Sequence, residues 1–107
     1  MFPIFSPTKI LDSIILMQIV IEGPQYGYAL SSIMEEKFDW KPSQTTVYNS
    51  LKSLENDELV TVEERIEKGR VQKIYSITEK GRKHFLEMHQ ELKKLMKKNF
   101  SQFISFV

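Results

Sequence analysis

The chain contains no cysteine, so neither disulfides nor thiolate metal sites are open to it. Histidine is scarce as well. His84 and His89 stand five apart, not the four that places two ligands on one helix face. No His-Glu metal motif and no glycine-rich phosphate loop occurs, and no acid is tied by spacing to a partner. Catalysis therefore lacks a constellation to carry it, and no cofactor is expected. Long apolar runs are missing too. The richest, Ile14 to Ile21, is short and broken by Gln18, against the roughly 20 apolar residues needed to cross a bilayer. The segment Met1–Pro7 lacks the positive n-region of a signal peptide. No membrane association is expected, and a cysteine-free chain fits a cytoplasmic location. Neither sign of charge dominates: the net charge is +1, so the whole chain is not a polycation.

What is present suffices for one small domain with an added helix. Of 107 residues, 41% are hydrophobic and 27% charged, enough for a core and too apolar for global disorder. The most informative stretch is Thr45–Asn56. Val47, Leu51 and Leu54 recur at i, i+4 and i+7 and predict one apolar helix face. Thr45, Asn49 and Lys52 recur at the same spacing nearly opposite, with Tyr48 on the flank. Such a face carries hydroxyls, an amide, a phenol and one lysine, groups able to donate to phosphates and base edges. Taken alone, it equally suits a half-buried helix with a neutral outer surface.

The charge order adds to this. Residues 55–67 hold six acids and one base, whereas residues 68–83 hold six bases and one acid. A sign change at Lys68 concentrates positive potential locally, as expected of a nucleic-acid contact, although a solvated charged hairpin would look similar.

Along the chain, Thr8 is placed as the N-cap of a first helix reaching about Glu22. Ile10, Leu11, Ile14, Ile15, Leu16, Met17, Ile19, Val20 and Ile21 leave it almost no polar face, which requires cover on more than one side and hints at a partner chain. Gly23-Pro24 stops it, and Gln25-Tyr26-Gly27 reads as a tight turn. A second helix, about Gly27 to Phe38, points Leu30, Ile33, Met34 and Phe38 inward. Pro42 breaks the chain at Lys41, and Ser43 caps the third helix. The apolar period then changes from 3.6 to 2. Leu59–Ile66 and Val71–Thr78 predict paired strands around a Glu67-Lys68-Gly69-Arg70 turn, with Gly69 suited to positive φ. Thr78 caps a last helix running through Phe85, Met88, Leu92, Leu95, Met96, Phe100 and Phe103. Helix, helix, helix, hairpin, long helix is the order of a winged helix-turn-helix: mainly α with a small β-hairpin, plus a long C-terminal dimerisation helix. The division expected is residues 1–78 for the winged unit and 79–107 for the dimerisation helix.

These residues resemble the PadR-like transcriptional regulators. Glu22–Leu30 looks like that family's "EGPxxGYxL" turn, Ser43–Glu55 its "SxGTVYxxLxxLE" helix, Gly69–Tyr75 its "GRxxKxY" wing and Thr78–Gly81 its "TExG" helix start. The resemblance covers roughly residues 8–90. Departures are Thr45 for a usual glycine, Asn49 for a common proline, Glu58 for a usual glycine, and Val71-Gln72 where proline and a base are frequent. The length resembles the short branch, in which the last helix packs with a partner's first helix and some members bind flat aromatic compounds between subunits. The tryptophan that stacks on them lies on the last helix. Trp40 here lies between the second and third helices and is expected to be a core or hinge aromatic.

The expectation is a homodimeric, sequence-specific double-stranded DNA-binding regulator, with repression implied by the resemblance. Thr45, Thr46, Tyr48, Asn49 and Lys52 are assigned to the groove. Asn49 suits adenine, Lys52 suits guanine or a phosphate, and Tyr48 is open between groove contact and helix packing. Lys41, Lys68, Arg70 and Lys73 are assigned to phosphates. Dimerisation is assigned to Ile10, Ile14, Met17, Leu92, Leu95, Met96, Phe100 and Phe103, and a seam for a small aromatic effector to Met17, Met88, Met96 and Phe100. The alternative is a protein–protein module that keeps the fold without binding DNA.

Overall fold

The computed structural model describes residues 7–106, with side chains placed from Ile10 to Asn99. The expected roles of Phe100 and Phe103 and the capping side chain of Thr8 lie outside the described residues. The elements are α1 (Pro7–Glu22), β1 (Gln25–Tyr26), a 3₁₀ turn (Gly27–Ala29), α2 (Leu30–Phe38), α3 (Gln44–Asn56), β2 (Val60–Glu67), β3 (Arg70–Ile77) and α4 (Glu79–Phe106). The sheet is antiparallel in the order β1-β3-β2.

The core follows the apolar stripes. Leu11, Ile15, Leu16 and Ile19 of α1, Leu30 and Met34 of α2, and Val47, Leu51 and Leu54 of α3 close over Leu59, Val60 and Tyr75. The stripe on α3 is the one read from its spacing. The cover on α1 is only partly as expected. Asp12 and Gln18 are buried, whereas Ile10 and Ile21 are exposed. Gln18 tolerates burial because the Lys37 ammonium donates to its Oε1 at 2.9 Å. The same ammonium also pairs with Glu22 at 3.3 Å, tying α2 to α1.

Four sequence expectations are corrected. Gln25-Tyr26 is a strand, pairing with Tyr75 and Ile74 of β3 rather than forming only a turn. Two residues are too few to show a period of 2. The second helix opens with the 3₁₀ turn and becomes α-helical at Leu30. Phe38 is exposed. It is the last residue of a nine-residue helix, and the left-handed Asp39 (φ 54°) that follows carries the chain off the core edge. Trp40 is likewise exposed, so of its two expected settings the hinge applies and the core does not.

The ends of α3 are built locally. Ser43 Oγ accepts the Thr46 amide at 3.1 Å, the expected N-cap. At the other end the Leu59 amide donates to Leu54 O and the Glu58 amide to Glu55 O, both at 2.9 Å, with Glu58 at φ 61°. This is a Schellman motif whose left-handed position is normally glycine. A glutamate thus stands at a site that takes the glycine conformation. Glu58→Gly is expected to raise stability by about 1 kcal/mol, since a side chain in the left-handed region costs roughly that much. Chemical denaturation with an unchanged slope and a higher midpoint is the check.

Candidate nucleic-acid interface

The outer face of α3 is set by what its inner face buries. With Val47, Ser50, Leu51 and Leu54 inside, Thr45, Thr46, Tyr48, Asn49 and Lys52 are left toward solvent. Thr45, Asn49 and Lys52 form the open row expected from their spacing. Thr46 is engaged differently. Its hydroxyl lies 2.8 Å from Ser43 Oγ and its amide completes the cap, so it serves the helix start. Tyr48 is 37% exposed. A Cβ on Gly27 would meet the Tyr75 ring at 2.9 Å and the Tyr48 ring and hydroxyl at 3.1 Å. Gly27 is therefore the floor on which both rings rest, and Tyr48 packs while keeping one edge open. Gln44 at the helix start donates to the Tyr28 carbonyl at 3.2 Å, which fixes α3 against the 3₁₀ turn.

Lys41 is exposed on the hinge between α2 and α3. Lys68, Arg70 and Lys73 are exposed on the hairpin. Lys68 (φ 51°) and Gly69 (φ 76°) both occupy the left-handed region and make a two-residue turn between the paired Glu67 and Arg70. The register adds something the linear charge order hid. Lys73 stands opposite Glu64, and Arg70 opposite Glu67. The acidic and basic blocks are interleaved side by side, so positive potential is strongest at the tip, not along the whole hairpin.

A strut supports that tip. The Tyr26 hydroxyl donates to Glu67 Oε1 at 2.7 Å, joining β1 to the far end of β2. The bond to the carboxylate, with burial and the nearby negative charge, raises the Tyr26 phenol above its ordinary pKa. Tyr28 packs beside it with ring centroids 5.5 Å apart. Sequence reading missed this strut, because nothing in the spacing of Tyr26 and Glu67 signals contact across 41 residues.

On another face, α1 and α4 leave an apolar groove of about 320 Å³. Ile10, Ser13, Ile14 and Met17 line it from α1, and Phe85, Met88, His89 and Leu92 from α4. Ser13 Oγ donates to the Met88 sulfur at 3.2 Å, and the Phe85 and His89 rings stack at 6.1 Å. Of the residues assigned to an effector seam, Met17 and Met88 line this groove, while Met96 is exposed and lies outside its lining. Of those assigned to dimerisation, Ile10, Ile14, Met17 and Leu92 line it, and Leu95 is half-buried farther along α4. Among the described residues no cluster of His, Asp or Glu could hold a metal, and no helix is long and apolar enough to cross a membrane.

Comparison with solved structures places this geometry. F93 from STIV, a winged-helix DNA-binding protein, is 33% identical over 81% of this chain and 91% of its own, with a TM-score of 0.72. A transcriptional regulator from Clostridium thermocellum is 29% identical over 87% of this chain and 91% of its own, with a TM-score of 0.73. Bacillus subtilis PadR, solved in complex with operator DNA, shares the fold at 23% identity and a TM-score of 0.67, over 74% of this chain and 47% of its own. Comparison with curated proteins finds no match. The family model described as the transcriptional regulator PadR-like family matches residues 15–87, from the middle of α1 through the hairpin into α4. The match spans most of the chain and every element that positions α3, and the chain belongs to that family of transcription regulators rather than to an enzyme family.

Proposed function

We propose that the protein is a homodimeric, sequence-specific DNA-binding repressor acting in the cytoplasm, where its DNA would lie. The observation that carries this reading is the face of α3. A helix seated by three buried aliphatics exposes Thr45, Asn49 and Lys52 in one row, the size and chemistry of a major-groove reader. Asn49 is assigned to adenine and Lys52 to guanine or a phosphate. Tyr48 and Thr45 flank them, and Thr46 contributes through the cap. Lys41, Lys68, Arg70 and Lys73 position the domain on phosphates. The relative solved with operator DNA and the relative described as DNA-binding support the same reading.

In this reading, residues 1–78 form the DNA-binding unit and 79–107 the dimerisation helix. The α1–α4 groove supplies the seam, since exposed apolar surface of this kind marks an interface. Its size also falls within the range of small-molecule sites, so a planar aromatic effector would enter there between Met17 and Met88. Such a ligand would alter DNA affinity only by binding two dimer spacings unequally.

The interleaved acids on the hairpin favour the second reading, a winged-helix protein–protein module. Salt separates the two. Selection of duplexes from a random pool, followed by titration at several salt concentrations, should give an affinity that falls steeply as salt rises. Arg70→Ala should weaken binding similarly for all sequences and lower the salt slope by about one. A changed sequence preference with an unchanged slope would refute the phosphate assignment, and salt-independent or absent binding would favour the protein module.

A further inference from the structure

Glu67 and Arg70 face each other directly across β2 and β3, at the turn. Opposite charges in that position normally pair. Here they do not: among the described residues Arg70 makes no ion pair. The carboxylate is engaged elsewhere, since its Oε1 accepts the Tyr26 hydroxyl at 2.7 Å. β3 lies between β1 and β2, so the Tyr26 side chain crosses β3 to reach Glu67. Tyr26 is the direct partner of Ile74, and alternation from there puts Ile74, Gln72 and Arg70 on one face, opposite Glu63, Arg65 and Glu67. The phenol, its acceptor and Arg70 therefore share that face. Burial follows the same path: Gln72 and Glu67 are half-buried, whereas Glu63, Arg65 and Arg70 are exposed.

The other acid on this face, Glu63, is held by Arg65 at 3.4 Å. Glu64 lies on the opposite face, against Lys73. Both acids on the face of Arg70 thus have partners other than Arg70. The preference of Glu67 for a neutral phenol over a guanidinium has a physical reason. An exposed ion pair gains little, because water screens it and two long side chains must be held still. The Tyr26 ring is already fixed by its strand and packed beside Tyr28, so it loses less freedom in reaching the same carboxylate.

We propose that Tyr26 is a positioning residue that holds the Glu67 carboxylate away from Arg70 and so leaves the Arg70 guanidinium open to a DNA phosphate. The proposal rests on the phosphate assignment made above for Arg70 and adds to it how a cation set opposite an acid stays available. Without the phenol hydroxyl, Glu67 turns to its cross-strand partner. A phosphate must then compete with an intramolecular carboxylate for the same donors.

The test is a double-mutant cycle on a selected duplex, read by fluorescence anisotropy at several salt concentrations. Tyr26→Phe is expected to weaken binding about threefold per protomer, the worth of an exposed ion pair. It should also lower the salt slope part of the way toward that of Arg70→Ala. Glu67→Gln removes the competing charge while keeping an oxygen within reach of Tyr26, so it should bind at least as tightly as wild type. Adding Tyr26→Phe should then cost nothing in the Glu67→Gln background, nor in the Arg70→Ala background. Equal weakening by Tyr26→Phe with and without Glu67→Gln would overturn the proposal, because the hydroxyl would then only brace the hairpin. Wild-type affinity in Tyr26→Phe would overturn it too. Wild type failing to bind any duplex would sink the DNA-binding reading itself, and this proposal with it. Circular dichroism reports whether Tyr26→Phe folds. Should it not, Glu67→Asp replaces it, keeping the charge while drawing it out of reach of Tyr26, with the same expected loss.

Discussion

Gly81→Ala is expected to lower the thermal midpoint by roughly 10 °C or more. Gly81 is buried in the first turn of α4, where that turn meets the start of β2. A Cβ there would collide with the Leu59 carbonyl oxygen, lie 2.9 Å from the Leu59 carbonyl carbon and lie 2.8 Å from Ile77 Cδ1. The obstacle is backbone, which has no alternative rotamer. It is also pinned. Leu59 O accepts the Thr78 amide at 3.1 Å, and the Thr78 hydroxyl donates to Glu58 O at 2.7 Å while accepting the Gly81 amide at 2.8 Å. Relieving the clash would open the junction where α3, the sheet and α4 meet. Overpacking of this sort costs about 3 kcal/mol, a large share of a small domain's stability. Thermal denaturation followed by circular dichroism is the check. A midpoint within about 3 °C of wild type would show that the first turn of α4 can shift freely.

On the proposed homodimer, Leu92→Glu is expected to give a folded monomer and to abolish tight DNA binding. Leu92 is half-buried at the α1–α4 groove, facing the wall made by Ile10, Ile14 and Met17. In a symmetric dimer seated on that groove, each seam receives the new carboxylate, so the penalty is incurred twice. An unpaired charge excluded from water costs about 3 kcal/mol after relaxation, and two such charges weaken the dimer by about 10⁴-fold. The isolated protomer tolerates the change because Leu92 keeps access to solvent there. Sedimentation velocity at micromolar concentration should show a dimer for wild type and a monomer for the variant, with unchanged helicity. DNA affinity should fall in step, because one protomer then grips a single half-site. A variant that remains dimeric would place the seam elsewhere, and a monomeric wild type would end the dimer reading.

Much of the fold was legible because its signals are periodic and local. The α3 stripe, its Ser43 cap, the Gly69 turn and the Thr78 cap all appear in the structure as their spacing predicts. These features depend on residues three or four positions apart, or on backbone angles that few side chains permit. The misreadings occurred where a segment was too short to have a period, or where burial depended on the element's end. Gln25-Tyr26 forms a strand only because β3 offers it an edge. Phe38 carries an apolar side chain that helical spacing points inward, yet the core stops before it.

By itself, the sequence determined the order of the four helices and the hairpin and the buried face of α3, and it left on that helix the polar row proposed to meet DNA. It also carried the family motifs, but not their reasons. That Gly81 must lack a side chain, that Glu58 stands in a glycine conformation, and that Tyr26 braces Glu67 were decided only when distant segments met. The same is true of the hairpin's charge. In sequence the acids and bases form two separate blocks, but antiparallel pairing sets Glu64 against Lys73 and Glu67 against Arg70, leaving the tip as the positive point. Periodicity records how one segment divides between core and water. Register and close approach are relations between segments, and they exist only in the folded chain.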